Sequence, residues 1–416
     1  MLQKIERALL SLVLLFLPTQ LGLHFWPEFT QIYSLRIDYL APTIYFWDLL
    51  VLMLIFIFLI QQKRINKLAL NIFLIFILSQ SFSLLQIVWN GEINLGAGLV
   101  RLEQYLIAGF FGVYIASKDI LKIRNLIFWP VGLALIFEVV LALAQFINGA
   151  SIGFWILGER EFNIQTPAIA KFDFYGQEFL RPYATFSHPN VLAGFIMIIL
   201  PMILTLNRLI QSSKSNILTS LVLIASGLTI FLTVSRTALF TFFIFGTFFL
   251  KRLGIIILIL SAILLSPIIW ERFFSIFSFD SLSILRREEL ARIAVELFKS
   301  NIFLGVGLNN FITVAADKLL IGPSRFLQPV HNIYLLALAE TGIMGLIGLL
   351  ILIGLPFSRM LKTVTVFNTK YLIFSSWMIL LFLGLFDHYF LTLPQGIRAL
   401  FFLWGISFAM LEYNRA

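Results

Sequence analysis

Apolar stretches of about 20 residues, separated by short polar turns, run the length of the chain. They predict spanning helices at roughly 8–26, 40–60, 68–88, 97–116, 125–147, 188–207, 217–234, 236–251, 253–270, 331–356, 370–387 and 396–411. The alternation of apolar and polar residues that marks a membrane barrel is missing. The expected fold is therefore an all-α polytopic membrane protein of about twelve transmembrane helices. It forms a single integral membrane domain over 1–416, with no internal repeat or soluble domain. The first stretch has no small-residue cleavage site and reads as a retained helix, not a signal peptide.

One polar interruption decides the parity of this count. Residues 217–250 are apolar except for Ser235 and Arg236 near the middle. A single span would put Arg236 near the bilayer centre, at a cost of roughly 2.5–3.5 kcal/mol. Two shorter helices meeting at Ser235–Arg236 avoid that cost. The split also satisfies the positive-inside rule. With the N-terminus inside, the inside segments contain Lys4 and Arg7; Lys63, Arg64 and Lys67; Lys118, Lys122 and Arg124; Arg208 and Lys214; Lys251 and Arg252; Arg359, Lys362 and Lys370; and Arg415. The short outside loops 89–96 and 388–395 have neither Lys nor Arg. Both termini are expected in the cytoplasm.

Two long outer loops follow, at about 148–187 and 271–330. Loops of this length usually have structure or function of their own. The second contains an amphipathic helix, Leu285 to Lys299, with Leu285, Leu290, Ile293, Ala294, Leu297 and Phe298 at helical spacing. This helix is expected to lie along the membrane surface or to lid a cavity.

Composition narrows the chemistry. The chain is 60% hydrophobic and only 12% charged, where soluble proteins have about 25% charged residues. Its net charge of +9 reads as a topology signal, so no nucleic-acid partner is expected. Cysteine is absent, which excludes disulfides, cysteine-ligated zinc and iron–sulfur clusters.

All four histidines, His24, His188, His331 and His388, fall on the predicted outer side. Each alone reads as an interfacial histidine satisfied by backbone or headgroups. Arg181, Arg236, Arg286, Arg287, Arg292 and Arg325 gather on the same side, where cations should be depleted. Arginine suits bidentate phosphate binding. Arg292 has Glu288 and Glu296 four residues to either side and is expected to form helix pairs. Arg236 is a functional candidate because it interrupts an apolar run; the alternative is snorkelling at a helix end.

Three local sequences stand out. Arg181 through Asn190 precedes the sixth span. There Pro189 and Asn190 can start a helix, with Ser187 or His188 at its positive end. Gly305-Val306-Gly307-Leu308-Asn309-Asn310 departs from the dinucleotide fingerprint and reads as a tight turn. His331-Asn332 opens the tenth span and is followed by Glu340, Gly342 and Gly345. The two glycines read as a small-residue packing face. Glu340, inside the span, must be paired or neutral. Asp387-His388 forms a second acid–base or acceptor-binding pair, or an interfacial histidine held by its neighbour. No sequence proposes a metal site.

These pieces resemble the O-antigen ligase and polymerase superfamily, bacterial inner-membrane glycosyltransferases acting on polyprenyl-diphosphate-linked glycans. The specific likeness is His331-Asn332, nine residues, then Gly342-x-x-Gly345. Thr233-Val234-Ser235-Arg236-Thr237, Arg181 through Asn190, and Asn301 through Asn309 support it, over about 181–345. The resemblance implies an inverting, metal-independent and cofactor-free transfer at the extracytoplasmic face. The donor would be an undecaprenyl-type lipid diphosphate. The acceptor would be lipid A-core, as in lipopolysaccharide ligation, or another glycan, as in polymerisation; the spacing leans towards ligase. By carry-over, His331 is the base, Arg236 a diphosphate ligand, and either Arg286 or Arg287 the loop arginine. Arg181, His188, Asn332, Asp387 and His388 are expected to bind substrate. The competing reading is a transporter or flippase for a lipid-linked saccharide. Transporters place sites at the midplane between repeats, whereas the polar residues here gather at one face.

Overall fold

A computed structural model describes residues 1–88, 93–174, 176–249, 282–319, 327–363 and 367–413. Among these, the helices in chain order are α1 Leu2–Leu15, α2 Phe46–Ile60, α3 Lys67–Ser81, α4 Leu95–Ala116, α5 Ile120–Asn148, α6 Pro189–Ile210, α7 Ser213–Leu232, α8 Arg236–Phe249, α9 Leu282–Ser300, α10 Phe311–Ala315, α11 Ile333–Thr363, α12 Phe367–Leu383, α13 Tyr389–Thr392 and α14 Pro394–Tyr413. The described strands form three short antiparallel pairs, Gly22–His24 with Thr43–Tyr45, Gln31–Ile32 with Leu35–Arg36, and Lys171–Phe174 with Gln177–Leu180.

Seven helices among the described residues are long and apolar enough to cross a membrane: Lys67–Gln86, Leu95–Ala116, Ile120–Asn148, Pro189–Ile210, Ser213–Leu232, Ile333–Lys362 and Pro394–Glu412. Each coincides with a predicted span. Phe46–Ile60 and Leu372–Leu383 are apolar but shorter. On α2, Leu49, Leu52, Met53, Phe56 and Ile60 are exposed. A solvated helix would hide such a stripe, whereas lipid accepts it. The architecture is that of a polytopic α-helical membrane protein. The predicted span 253–270, Lys251, Arg252, Arg325 and Arg415 lie outside the described residues.

The first predicted span, 8–26, differs from the structure. Its helix runs only from Leu2 to Leu15, and Gly22–His24 is a strand. Pro18 explains the early end: it has no amide proton, and it disfavours helical geometry at Leu17. The split at Ser235–Arg236 agrees with the structure. α7 ends at Leu232, Val234 turns with φ +46°, and Arg236 begins α8.

The chain packs as two units. One comprises Met1–Leu21, Asp119–Ser278 and Val364–Leu383. Within it α5 packs on α1, α6 and α7, while α12 packs on α6 and α8. The first long loop is ordered from beneath by α5. Buried Glu138 accepts from the Thr185 amide at 3.1 Å and the Thr185 hydroxyl at 2.8 Å. Buried Gln145 accepts from Tyr183 N at 3.0 Å and Ala184 N at 2.7 Å, and donates to Glu159 at 2.8 Å. Phe162, Leu180 and Tyr183 give the loop a small apolar core.

The other unit comprises Gly22–Lys118, Phe279–Thr363 and Gly384–Ala416. Within it α4 packs on α14, α3 on α11, and α9 on α11. The amphipathic helix is α9, and its face buries Leu290, Ile293, Ala294 and Leu297 against the protein; Leu285 stays exposed. Arg292 pairs with Glu296 at 2.6 Å, as its spacing predicts. Both side chains are exposed, so Arg292→Ala should change stability by no more than about 0.5 kcal/mol. A chemical or thermal melt against wild type checks this.

α11 is interrupted at Gly342, where φ is +61° and ψ is −163°. Gly342 allows the close approach expected of it, since a Cβ there would meet the Phe303 and Leu304 backbone, and it also breaks the helix. Segment 302–307 crosses the break: Val306 N donates to Ala339 O at 2.8 Å, Gly307 N to Glu340 O at 2.9 Å, and Ile343 N to Ile302 O at 2.8 Å. The carbonyls freed by the interruption thus find partners within the protein. Gly305 and Gly307 supply the positive φ this tight crossing needs, so the expected turn is present.

Candidate active site

The N-terminus of α11 positions the first group of residues. Asn332 caps the helix, accepting from Tyr334 N at 2.9 Å and Leu335 N at 3.0 Å. Its amide nitrogen donates to Leu385 O at 3.1 Å, and Ile333 N donates to Gly384 O at 2.8 Å. Asn332, expected to bind substrate, is thus placed as a cap and tether. This tether brings the segment following α12 against His331. The His331 and His388 rings meet edge to face, with centroids 5.1 Å apart.

His388 is buried and held on several sides. Its Nδ1 lies 2.6 Å from Thr392 Oγ1, its amide donates to Asp387 Oδ1 at 2.9 Å, and the Tyr39 ring packs edge-on at 5.6 Å. Its Nε2 is 4.0 Å from Asp387 Oδ1. One ligand-capable atom from each of His331, Asp387 and His388 lies within 4.8 Å of the others. Two imidazoles and a carboxylate can hold an ion of the zinc class. They can equally serve as a base with hydrogen-bonding partners for an acceptor hydroxyl.

Arg286 and Arg287 lie half-buried in the first turns of α9. The electrostatics single out Arg287: burial first, then the Arg287 charge, pushes His331 down to about 3 from its ordinary value. His331 stands two residues ahead of the membrane span and is neutral at physiological pH. Its folded pKa lies below the unfolded value of about 6.5. The unfolded chain therefore binds the proton first, and stability is lost as pH falls from about 6.5 towards 3. Arg287, His388 and Asp387 face this ring and set its surroundings. The melting temperature of His331→Gln should fall less between pH 7 and pH 5 than that of wild type. Parallel melts at the two pH values check this.

The second group lies in the other unit. His188 is the N-cap of α6, its Nδ1 accepting from Asn190 N at 3.1 Å, at the helix start predicted from Pro189 and Asn190. Buried Arg181 donates through Nε to Thr233 O at 2.5 Å and through Nη2 to Asn190 Oδ1 at 2.7 Å. It therefore braces the α7–α8 turn against the start of α6. Arg236, half-buried, follows that turn directly.

His24 is exposed and stacked on Trp26 at 5.9 Å. The sequence reading passed over Tyr39 and Thr392, whose contacts with His388 join segments distant in the chain. It also passed over Arg101, which interrupts an apolar run just as Arg236 does. Arg101 is buried within α4 and donates to Thr392 O at 2.5 Å, Gln104 at 2.9 Å and Asn309 at 3.1 Å. It lies within electrostatic reach of Glu340, which also accepts from Phe311 N at 3.3 Å. Glu340 thus has an amide donor and a cation within reach, in keeping with its position inside the span.

Residues 221–350 match the family model described as O-antigen ligase. The matched stretch contains Arg236, Arg286, Arg287, His331, Asn332 and Gly342. The match supports the O-antigen ligase and polymerase superfamily. With the apolar helices, it supports a multi-pass membrane enzyme of the O-antigen ligase/polymerase type, acting in cell-surface glycan synthesis on a lipid-linked glycan. No curated protein matches the chain.

Proposed function

We propose that the protein transfers a glycan from a polyprenyl-diphosphate carrier to an acceptor hydroxyl, with inversion and without a metal. The supporting observation is the meeting of half-buried His331 with Asp387 and His388, within electrostatic reach of Arg287 and inside the stretch that matches O-antigen ligase. The acceptor oxygen attacks the anomeric carbon while the bond from that carbon to the diphosphate oxygen breaks. The hydroxyl proton passes to His331, and the lipid diphosphate leaves. Arg287 stabilises the charge that develops on the leaving group. Arg286 acts as a further diphosphate ligand; the resemblance gives Arg236 the same role, and Arg181 acts through the α7–α8 turn that it braces ahead of Arg236. Asp387 and His388 orient the acceptor, which is lipid A-core or a second lipid-linked glycan. The setting is the bacterial inner membrane, with both termini cytoplasmic and the transfer on the extracytoplasmic side.

A break such as that in α11 occurs in transporters. Here its carbonyls accept from Val306 and Gly307 and are spent on holding the fold. The test is transfer in proteoliposomes containing a polyprenyl-diphosphate glycan, with lipid A-core or a second donor molecule as acceptor. Chelator should leave the wild-type rate unchanged, and Arg236→Ala should lose most of it. Loss of activity on chelation, restored by zinc, would instead assign His331, Asp387 and His388 to an ion. No product with either acceptor would remove the glycosyltransferase reading.

A further inference from the structure

The unit that contains His331 has a cavity of about 400 Å³ away from the residues described so far. It is lined by Arg64, Lys67 and Arg359, by the polar Asn66, Ser117 and Glu412, and by apolar Ile65, Leu68, Phe408 and Leu411. Four membrane-length helices end around it. Lys67 begins Lys67–Gln86, Ser117 follows Leu95–Ala116, Arg359 lies in the last turn of Ile333–Lys362, and Glu412 closes Pro394–Glu412. The cavity therefore lies at the level where apolar helices meet the headgroup region.

Its polar wall is built in a particular way. Asn66 donates to Ala116 O at 3.2 Å and to Glu412 Oε1 at 3.0 Å, and its amide donates to Ser117 Oγ at 2.9 Å. The carbonyl end of α4 and the Glu412 carboxylate are thereby occupied by one asparagine. Among the described lining residues, three cations against one carboxylate give a net positive wall, and the first turn of α3 adds the positive end of its dipole. The four apolar residues of the lining suit an acyl chain, not a fully hydrated ion. Basic pockets between transmembrane helices bind anionic headgroups for these reasons.

We propose that this cavity binds the phosphate of an anionic phospholipid, with Arg64, Lys67 and Arg359 on the headgroup and Ile65, Leu68, Phe408 and Leu411 along its chain. The full-length protein in uncharged detergent would be titrated with phosphatidylglycerol, phosphatidylcholine or inorganic phosphate. Bound lipid would be counted by native mass spectrometry. Wild type should retain phosphatidylglycerol and release phosphatidylcholine. Each of Arg64→Gln and Arg359→Gln should weaken phosphatidylglycerol binding about fivefold, and the pair more. The lipid-free melting temperature of each variant guards against unfolding. Lys67→Gln, at an exposed position, supplies the same readout if an arginine variant does not fold. Equal retention of the two lipids, or unchanged phosphatidylglycerol affinity in well-folded variants, would overturn the site. Inorganic phosphate binding as tightly as phosphatidylglycerol would overturn its assignment to a lipid.

Discussion

Replacing His331 with alanine should lower kcat for glycan transfer by roughly 10²–10⁴-fold, the usual loss for a general base. KM for the lipid diphosphate donor should change little, because the charge that attracts it is on arginines. Arg287→Ala should show the complementary split, with a higher donor KM as well as a lower kcat. The pH profile adds a second test. In the free enzyme, burial and Arg287 push His331 down to about 3. The acid limb of kcat/KM, which reports the free enzyme, should therefore show no inflection from this residue near pH 6.5. A bound diphosphate brings anionic charge to Arg287 and removes part of what holds His331 neutral. The acid limb of kcat, which reports the enzyme–substrate complex, should then lie at higher pH than that of kcat/KM. On the proposed mechanism, a half-buried histidine that is a poor base alone becomes a better one once the donor is in place. Full activity in well-folded His331→Ala, or coincident limbs near pH 6.5 in both profiles, would assign proton removal to another group.

Much of this arrangement was legible in the sequence because it rests on short-range signals. An arginine in an apolar run, with a serine before it, marked the break between α7 and α8. Pro189 and Asn190 marked the start of α6, with His188 at its cap. Charge and apolar spacing marked α9 and the Arg292–Glu296 pair. The parts that were not legible depend on contacts between segments far apart in the chain. Hydropathy alone carried the first span past Pro18, where backbone geometry ends the helix. The meeting of His331 with His388 requires the Asn332 tether to Leu385, 53 residues away. Likewise, Arg101 finds its partner Asn309 at a separation of 208 residues, so its burial could be anticipated but not its partner. Gly342 shows the limit most clearly. A glycine in a helix-period apolar run reads as a packing face, and only the crossing of 302–307 reveals that it interrupts the helix.

That interruption makes Gly342→Ala the most damaging small substitution to be expected in the described fold. With φ +61° and ψ −163°, the residue occupies a region open essentially to glycine alone. An added Cβ would also overlap the Phe303 carbonyl, which is backbone and cannot rotate aside. Backbone strain and overpacking together should cost roughly 3 kcal/mol or more, a large part of the 5–15 kcal/mol that typically holds a domain together. Two relaxations are open to the chain. Segment 302–307 can detach, stranding the Ala339 and Glu340 carbonyls, or α11 can straighten and turn its first part about the repaired break. Either moves Ile333–Thr341, and with it the Asn332 cap and His331, the proposed base. Gly354→Ala, later in the same helix, is the informative control, because its new Cβ would meet nothing within 4 Å. Gly342→Ala should therefore lose folded yield and transfer together, while Gly354→Ala retains both. Thermal melts and single-turnover transfer on the two variants measure this. A Gly342→Ala protein with wild-type melting temperature and activity would mean that the interruption is not what sets His331 in place.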